Sequence, residues 1–469
     1  MAVFEPVLAL LLGAEHELLL FTAFWFLVGT IDDVGVDLVW IWLKLTGKAA
    51  VARICDQRAA APLTAHAAVL IAAWQEAEVI GHTVRHALSA WRQREFTLYV
   101  GCYCNDAGTI ASVMAAARGD ARVKLVIHDK PGPTTKADCL NRLFRAVRDD
   151  DRRRSICSRF VLMHDSEDMV HPAELAVVDA ALMTCDFVQL PVRPEPQPAS
   201  KWVAGHYTDE FTEAHAKVLV VRDALGAGIP AAGVGCGFTS EMLDRIDRLR
   251  RDEGIEGPFG SDCLTEDYEL GLLVWRVGGR SRYLRMRDQQ GDLVATRAYF
   301  PASLDASVRQ KTRWILGIAF QGWDRLGWGN RLADWWMVLR DRRGPLAAFV
   351  FACAYALLVL EGMLGLLRIF GLLEASVFSP VLDAMLIACW ASLVWRVTNR
   401  FAFTAHEYGL REGLLSIPRG PVANIITIMA GYRALARYLQ SLAGVSVGWD
   451  KTSHDHHPAM IEHAGKVPA

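Results

Sequence analysis

Phe160–Pro172 reads FVLMHDSEDMVHP. The four apolar residues Phe160 to Met163 predict a short buried strand. The strand stops on His164, Asp165, Ser166, Glu167 and Asp168. Open α/β sheets bind ligands beyond the carboxyl ends of their strands, so an apolar strand that ends on acids aims them at a cleft. Hard oxygen ligands at this spacing suit Mg²⁺ or Mn²⁺ shared with substrate phosphates. Asp165, Glu167 and Asp168 are therefore the candidate metal ligands. The competing reading is a solvated turn in which Asp168 or a neighbour caps a helix starting near Pro172.

The chain has 469 residues, enough for more than one domain. It is 52% hydrophobic, and its mean hydropathy is +0.19. That excess over ordinary soluble composition directs attention to membrane segments. A formal net charge of −2 gives no electrostatic case for nucleic acid as a partner. The ten cysteines are scattered without paired CxxC units, which argues against structural zinc. They read as small buried apolar residues in a reducing compartment.

Around the central stretch, residues 66–300 alternate strands with helices. Val69–Ile71 is a strand, followed by Ala73-Trp-Gln-Glu76 and a helix to about Trp91. Phe96–Cys102 is a second strand, running into Asn105 and Asp106. Val123–Ile127 is a third, and a helix covers Lys136 to Val147. Asp149–Arg154 reads as a charged, solvated loop. Phe187–Leu190 is a further strand, and Tyr268–Val277 a helix. This alternation predicts an α/β fold with a mixed, mostly parallel sheet and helices on both faces. Asp209, Glu210, Glu213 and His215 sit on a helix start and read as a solvated face rather than a sugar-binding one.

The ends of the chain are different. One membrane span is expected within residues 7–43, with limits left open by Glu15, Glu17, Asp32, Asp33 and Asp37. A cleaved signal peptide fits less well, because the first residues lack Lys and Arg. Lys44, Lys48, Arg53 and Arg58 mark the cytoplasmic side. Leu346–Phe370 and Val377–Val397 are long enough to cross a bilayer. Glu361 and Arg368 within the first either line a path or pair with each other. Gly409–Ser416 reads as a short amphipathic piece, and Val422–Leu442 as an interfacial helix in preference to a further span. The expected organisation is an N-terminal membrane segment (1–45), a cytoplasmic catalytic domain (46–330), membrane and interfacial helices (331–445) and a cytoplasmic tail (446–469).

Four motifs occur in order: Asp106, Asp165-Ser-Glu167, Thr265-Glu-Asp267, and Gln310-Lys-Thr-Arg313-Trp314. With the membrane helices behind them, they resemble the membrane-bound, processive branch of glycosyltransferase family 2, which includes cellulose, chitin and hyaluronan synthases. The strings TEDYELG, HDSEDMVHP and WDKTSH resemble a subgroup of bacterial polysaccharide synthases, the one containing the inner-membrane subunit of the phage N4 receptor. The resemblance implies a GT-A fold and an inverting, metal-dependent transfer from a UDP-sugar donor to a glycan acceptor at the bacterial inner membrane. It further implies that Asp106 contacts the nucleotide, where the alternative is a turn-capping Asp. Lys136 would lie near the diphosphate, and Asp267, beside Glu266, would be the general base. Gln310, Arg313 and Trp314 would hold the diphosphate and the acceptor end. Trp74, Glu76, Asp138, Asn141, Gly235 and Cys236 flank these motifs and are expected in the donor and acceptor pockets. The Trp449–His454 string would fold over the nucleotide site as a gate. His454, His456 and His457 have no partner ligands spaced for a metal. Some related synthases carry a cyclic dinucleotide-binding domain after the membrane part. Here the chain stops soon after WDKTSH, so such control is expected to need a separate regulatory protein, and an export partner is equally open. Transfer of one sugar to a lipid carrier, and a receptor that keeps the fold without the chemistry, are the competing functions.

Overall fold

The computed structural model describes residues 4–329, 331–374, 376–444 and 457–459. Seven strands form the main sheet: β1 (His66–Ala72), β2 (Phe96–Tyr103), β3 (Val123–His128), β4 (Ser158–His164), β5 (Phe187–Gln189), β6 (Cys236–Thr239) and β7 (Ser281–Tyr283). Their order is β3-β2-β1-β4-β6-β5-β7. Strands β3, β2, β1 and β4 run parallel, whereas β6 is antiparallel to both β4 and β5. The helices used below are α1 (Phe4–Leu45), α2 (Ile80–Ala90), α3 (Ala107–Ala117), α4 (Lys136–Arg154), α5 (Glu174–Ala181), α6 (Gly205–Glu213), α7 (Ser240–Asp252), α8 (Glu266–Arg276), α9 (Leu304–Ile315), α10 (Gly344–Ile369), α11 (Pro380–Tyr408) and α12 (Leu410–Leu442).

The two-residue period of a strand sends alternate side chains to opposite faces. In β1, Ala67, Val69 and Ile71 join one core with Ile80 and Val84 of α2, Val113 of α3 and Leu175 of α5. Ala68 and Leu70 join the other, with Leu140 and Leu143 of α4, Leu243 of α7 and Leu270 of α8. Because both faces are covered, the strand reads as a continuous apolar run, and each fully buried Leu, Ile or Val contributes roughly 1.5–3 kcal/mol. The sheet's carboxyl edge is left for the site.

Three readings of the charged segments are corrected by tertiary partners. Residues 149–154 are not a loop: α4 continues to Arg154. Asp150 accepts from Tyr99 Oη at 2.8 Å and pairs with Lys124, while Asp151 accepts from the Ser158 amide and hydroxyl. These bonds neutralise the acids and tie the end of α4 to the sheet. Asp209, Glu210, Glu213 and His215 are not a solvated face. Asp209 is 1% exposed and pairs with Arg419 at 3.2 Å. Glu210 pairs with Lys311 at 2.7 Å, and Glu213 with Lys217 at 2.8 Å. His215 is buried and its Nδ1 accepts the Val192 amide at 2.9 Å; burial pushes its pKa down to about 3, so it is neutral. Finally, 409–416 is no separate piece: α12 runs unbroken through Pro418 and Pro421.

Four helices, α1, α10, α11 and α12, are long and apolar enough to cross a membrane. The 42 residues of α1 span about 63 Å, roughly twice a bilayer's hydrocarbon core. Its last third runs alongside the α/β domain, where Asp32 and Asp33 meet Arg340 and Arg343. Asp37 accepts from Lys217 at 2.6 Å and from Trp395 Nε1 at 2.7 Å. At the opposite end of α1, Glu15 pairs with Arg368 at 2.6 Å, and Arg368 also pairs with Glu361 at 3.1 Å. Glu361 and Arg368 thus realise the pairing alternative, with Glu15 as a third member. Helix α12 packs along α9: Ile426 and Ala430 bury against Val308, and an added Cβ at Gly431 would come 2.3 Å from the Cβ of Ala348 in α10.

The Lys217 ammonium is the only described cation on Asp37, and both side chains are under 10% exposed. Removing one partner of such a pair costs about 3–5 kcal/mol. Lys217→Met should therefore lower the melting temperature of the detergent-solubilised protein by several degrees. A melting temperature within error of wild type would show that the seam contributes nothing.

Candidate active site

Four loops leave the carboxyl edge of the sheet and enclose a cavity of about 560 Å³. After β1, the 73–79 loop turns sharply at Gln75, whose φ is +54°. The turn is held by Asp106: one carboxylate oxygen accepts the Gln75 amide at 2.6 Å, and the other accepts the Thr109 amide at the start of α3. Asp106 is therefore the cap of α3, with both oxygens taken by backbone. Asp106 itself does not line the cavity, whereas Trp74 and Glu76, on the loop it holds, do. Trp74 packs edge-on against Tyr103 at 5.1 Å, and Tyr103 stacks on His128 at 5.1 Å. Gly132 lies so close to the Trp74 ring that a Cβ there would come within 2.5 Å.

Lys136 opens α4 behind a capping box in which Thr135 and Asp138 each accept the other's backbone N–H. Its ammonium pairs with Asp165 at the end of β4. Burial alone would depress Lys136, but Asp165, Glu266 and Asp267 outweigh it and hold the group above its ordinary value. Asp138 is thus spent on the cap. Asn141 is spent as well: it donates to the Glu256 and Phe259 carbonyls and accepts the Phe259 amide, stapling 256–259 to α4.

The DSED turn divides its acids. Asp165 and Glu167 line the cavity. Asp168 also borders it, but the side chain is 2% exposed and Oδ2 accepts from His164 Nδ1 and the Asp165 amide, each at 2.9 Å. His164 bridges on to Glu174 at 3.2 Å. Burial opposes its charge, yet these two acids raise His164 to about 10. Asp168 is consequently a brace that fixes the Asp165 backbone, while Asp165 and Glu167 turn toward the cavity. Among the described residues, no three His, Cys, Asp or Glu side chains close around a metal position. Two carboxylates facing an open cavity do fit Mg²⁺ or Mn²⁺, which take few protein ligands and complete their shell with phosphate and water.

Across the cavity, Asp267 sits in the first turn of α8, with Oδ1 accepting the Tyr268 amide at 2.7 Å. Burial raises its pKa, and Lys136 partly offsets that. Burial, then the charge of Asp267, pushes the neighbouring Glu266 up to about 7. Gly233, at φ +77°, faces Asp267: an added Cβ would lie 2.5 Å from Oδ2 and 3.3 Å from Lys136 Nζ. Gly235 and Cys236, by contrast, do not line the cavity. Gly235 leads into β6 at φ +57°, against Thr296, and Cys236 is fully buried opposite Met163. The loop of 230–235 is clamped by buried Gln189, which accepts the Ala232 amide at 2.8 Å and donates to the Val234 carbonyl at 2.9 Å.

Gln310, Arg313 and Trp314 come off one face of α9 and form the far wall. Gln310 Oε1 is buried without a hydrogen-bond partner among the described residues, an acceptor aimed at whatever donor enters. Trp314 sits edge-on to Tyr207 and beside Phe211, and Phe300 completes this aromatic wall. Sequence reading assigned no site role to Gln189, Tyr207, Phe211 and Phe300. Gln189 carried a signal, as an amide inside an apolar strand; the aromatic wall carried none, because its members lie far apart in the chain. The Trp449–His454 string lies outside the described residues.

A model of the glycosyltransferase like family 2 matches residues 65–317. Bacteriophage adsorption protein B of Escherichia coli strain K12 is 32% identical over 455 residues, covering 91% of this chain and 60% of that protein. Bacteriophage N4 adsorption protein B of Escherichia coli O157:H7 matches to the same extent. The chain therefore spans 60% of the length of these curated relatives. Among solved structures, the mannosyltransferase PcManGT from Pyrobaculum calidifontis, in complex with GDP-Man and Mn²⁺, superposes with a TM-score of 0.51. It covers 87% of this chain and 99% of its own at 14% identity, a likeness of fold. The matched region holds the whole seven-stranded sheet, together with the DSED turn, Asp267 and α9, and on that evidence the chain belongs to glycosyltransferase family 2.

Proposed function

We propose that this chain transfers a sugar from a nucleoside-diphosphate donor, UDP-linked, to a glycan hydroxyl, with inversion, and extends a bacterial polysaccharide at the cytoplasmic face of the inner membrane. The observation that carries the reading is the convergence of Lys136, Asp165, Glu266 and Asp267 in one cavity, with Gln310, Arg313 and Trp314 opposite. Trp74 and Tyr103 offer rings against which a base can stack. Lys136 and Arg313 bind diphosphate oxygens, Arg313 through its planar fork. Asp165 and Glu167 would hold a divalent ion, which when bound neutralises charge on the departing diphosphate. Asp267 takes the proton of the attacking acceptor hydroxyl through Oδ2, while the Tyr268 amide fixes Oδ1. Gln310 Oε1 accepts from a sugar hydroxyl, and Trp314 supplies an apolar face for the ring.

Extension rather than a single transfer is supported by the QxxRW residues standing on α9, the helix that packs through Val308 and Thr312 on α12. The first experiment is nucleotide release by the full chain in lipid vesicles, across UDP- and GDP-sugars with Mn²⁺ or Mg²⁺. A long product from one UDP-sugar supports the reading. A short lipid-linked product would replace it with single transfer, and binding without turnover would replace it with a receptor.

Asp267→Asn should lower kcat by about 10²–10⁴-fold with little change in donor affinity, the scale of a lost general base. Unchanged turnover would remove Asp267 from the chemistry. Glu266 and Asp267 titrate as neighbours, and the base must be ionised. Burial raises Asp267 above its ordinary value, so kcat/KM should fall on acidification before that ordinary value, about 3.9, is reached; a profile flat down to about pH 4 would contradict the assignment. Gly233→Ala would force a Cβ onto Oδ2 of Asp267. It should cost turnover on the order of 10²-fold through misplacement while donor binding persists.

A further inference from the structure

The backing of the DSED turn extends to a segment far away in the chain. Helix α2 holds the loop after β4 by its backbone carbonyls: Thr83 Oγ1 donates to Ser166 O at 2.5 Å, His86 Nε2 meets Val170 O at 3.0 Å, and Trp91 Nε1, just beyond α2, donates to His171 O at 3.2 Å. Onto the same Thr83 comes His457, 374 residues later, with Nε2 at 3.2 Å from Oγ1. Its ring stacks on His82 at 5.7 Å and 24°, and the residue is fully buried. His457 Nδ1 accepts the Ala459 amide at 3.1 Å, so the neutral ring carries its proton on Nε2, which faces Thr83 Oγ1; the Asp168 backbone is a second partner of the ring. Thr83 has a single hydroxyl proton, and it goes to Ser166 O. A chain of contacts thus runs from the C-terminal segment through Thr83 to the carbonyl between Asp165 and Glu167. Burial keeps the imidazole neutral, with its pKa pushed down to about 3.

We propose that His457 is a positioning residue: docking of residues 457–459 on α2 sets the Asp165–Glu167 turn, so that C-terminal docking and occupancy of the carboxylate pair reinforce one another. Reciprocity follows from linkage, because whatever orders the turn also favours the docked segment. Polar partners behind ligating groups commonly change metal affinity by about ten- to a hundredfold. The inference rests on the proposed transferase only for its ligand, not for its geometry.

The test uses the full chain in nanodiscs with His457→Ala, His457→Gln, Thr83→Val and the double variant His457→Ala/Thr83→Val. Gln restores an Nε2 donor, and Val keeps the volume of Thr while deleting the relay. Without ligand, hydrogen exchange at amides 165–170 should rise about tenfold in His457→Ala and Thr83→Val, and return toward wild type in His457→Gln. With UDP and Mn²⁺, the Mn²⁺ concentration for half-maximal binding should rise about tenfold in the same two variants, non-additively in the double variant. Exchange at 165–170 that is unchanged, or that rises equally across the whole sheet, would overturn the inference. The exchange measurement needs no substrate, so it decides this point even if no donor is turned over.

Discussion

One ammonium and three carboxylates set the conditions for the rest of the molecule. Lys136 lies among Asp165, Glu266 and Asp267 on the wall of one cavity. Burying so many acids is costly unless charge and hydrogen bonds compensate. The compensation is built from the sheet outward. Lys136 is placed by a capping box on α4, Asp165 by its amide bond to Asp168, and Asp267 by the first turn of α8. Each brace in turn uses a residue whose type alone would suggest ligand binding. Burial keeps Asp267 and Glu266 above the ordinary carboxylate range, against the pull of Lys136.

The second constraint is attachment to the bilayer. The α/β domain is not tethered by a linker but sits in an ionic seam against α1, α11 and α12. Arg340 and Arg343 on Asp32 and Asp33, Lys217 on Asp37, Arg400 on Glu213 and Arg419 on Asp209 cross it. Buried pairs of this kind contribute specificity of orientation more than net stability. They fix α6 and α9, and with them the aromatic wall of Tyr207, Phe211 and Trp314, relative to the membrane. Two π-helical turns, at 214–218 and 316–321, interrupt these helices where they border the cavity. Such turns recur near functional sites because they re-aim side chains without ending the helix.

Much of the architecture was legible from local pattern. Alternating apolar strands and helices specify an α/β sheet because burial on both faces requires it. Acids at strand ends specify where a ligand cleft lies, and long apolar runs specify the membrane helices. Asp165, Glu167, Lys136, Asp267, Gln310, Arg313 and Trp314 all converge on one cavity, as their motifs imply. The folded chain decided which similar residues are held by the protein's own groups. Asp106 caps α3, Asp138 completes a capping box, Asn141 staples 256–259, Asp168 braces the turn, and Cys236 fills the core. An Asp at a strand end reads the same in sequence whether its oxygens meet solvent, an amide or a metal. The difference lies partly in local turn geometry, as between Asp138 and Thr135 or Asp168 and His164, and partly in groups brought from afar, as Gln75 to Asp106 and Phe259 to Asn141, which only the folded chain supplies.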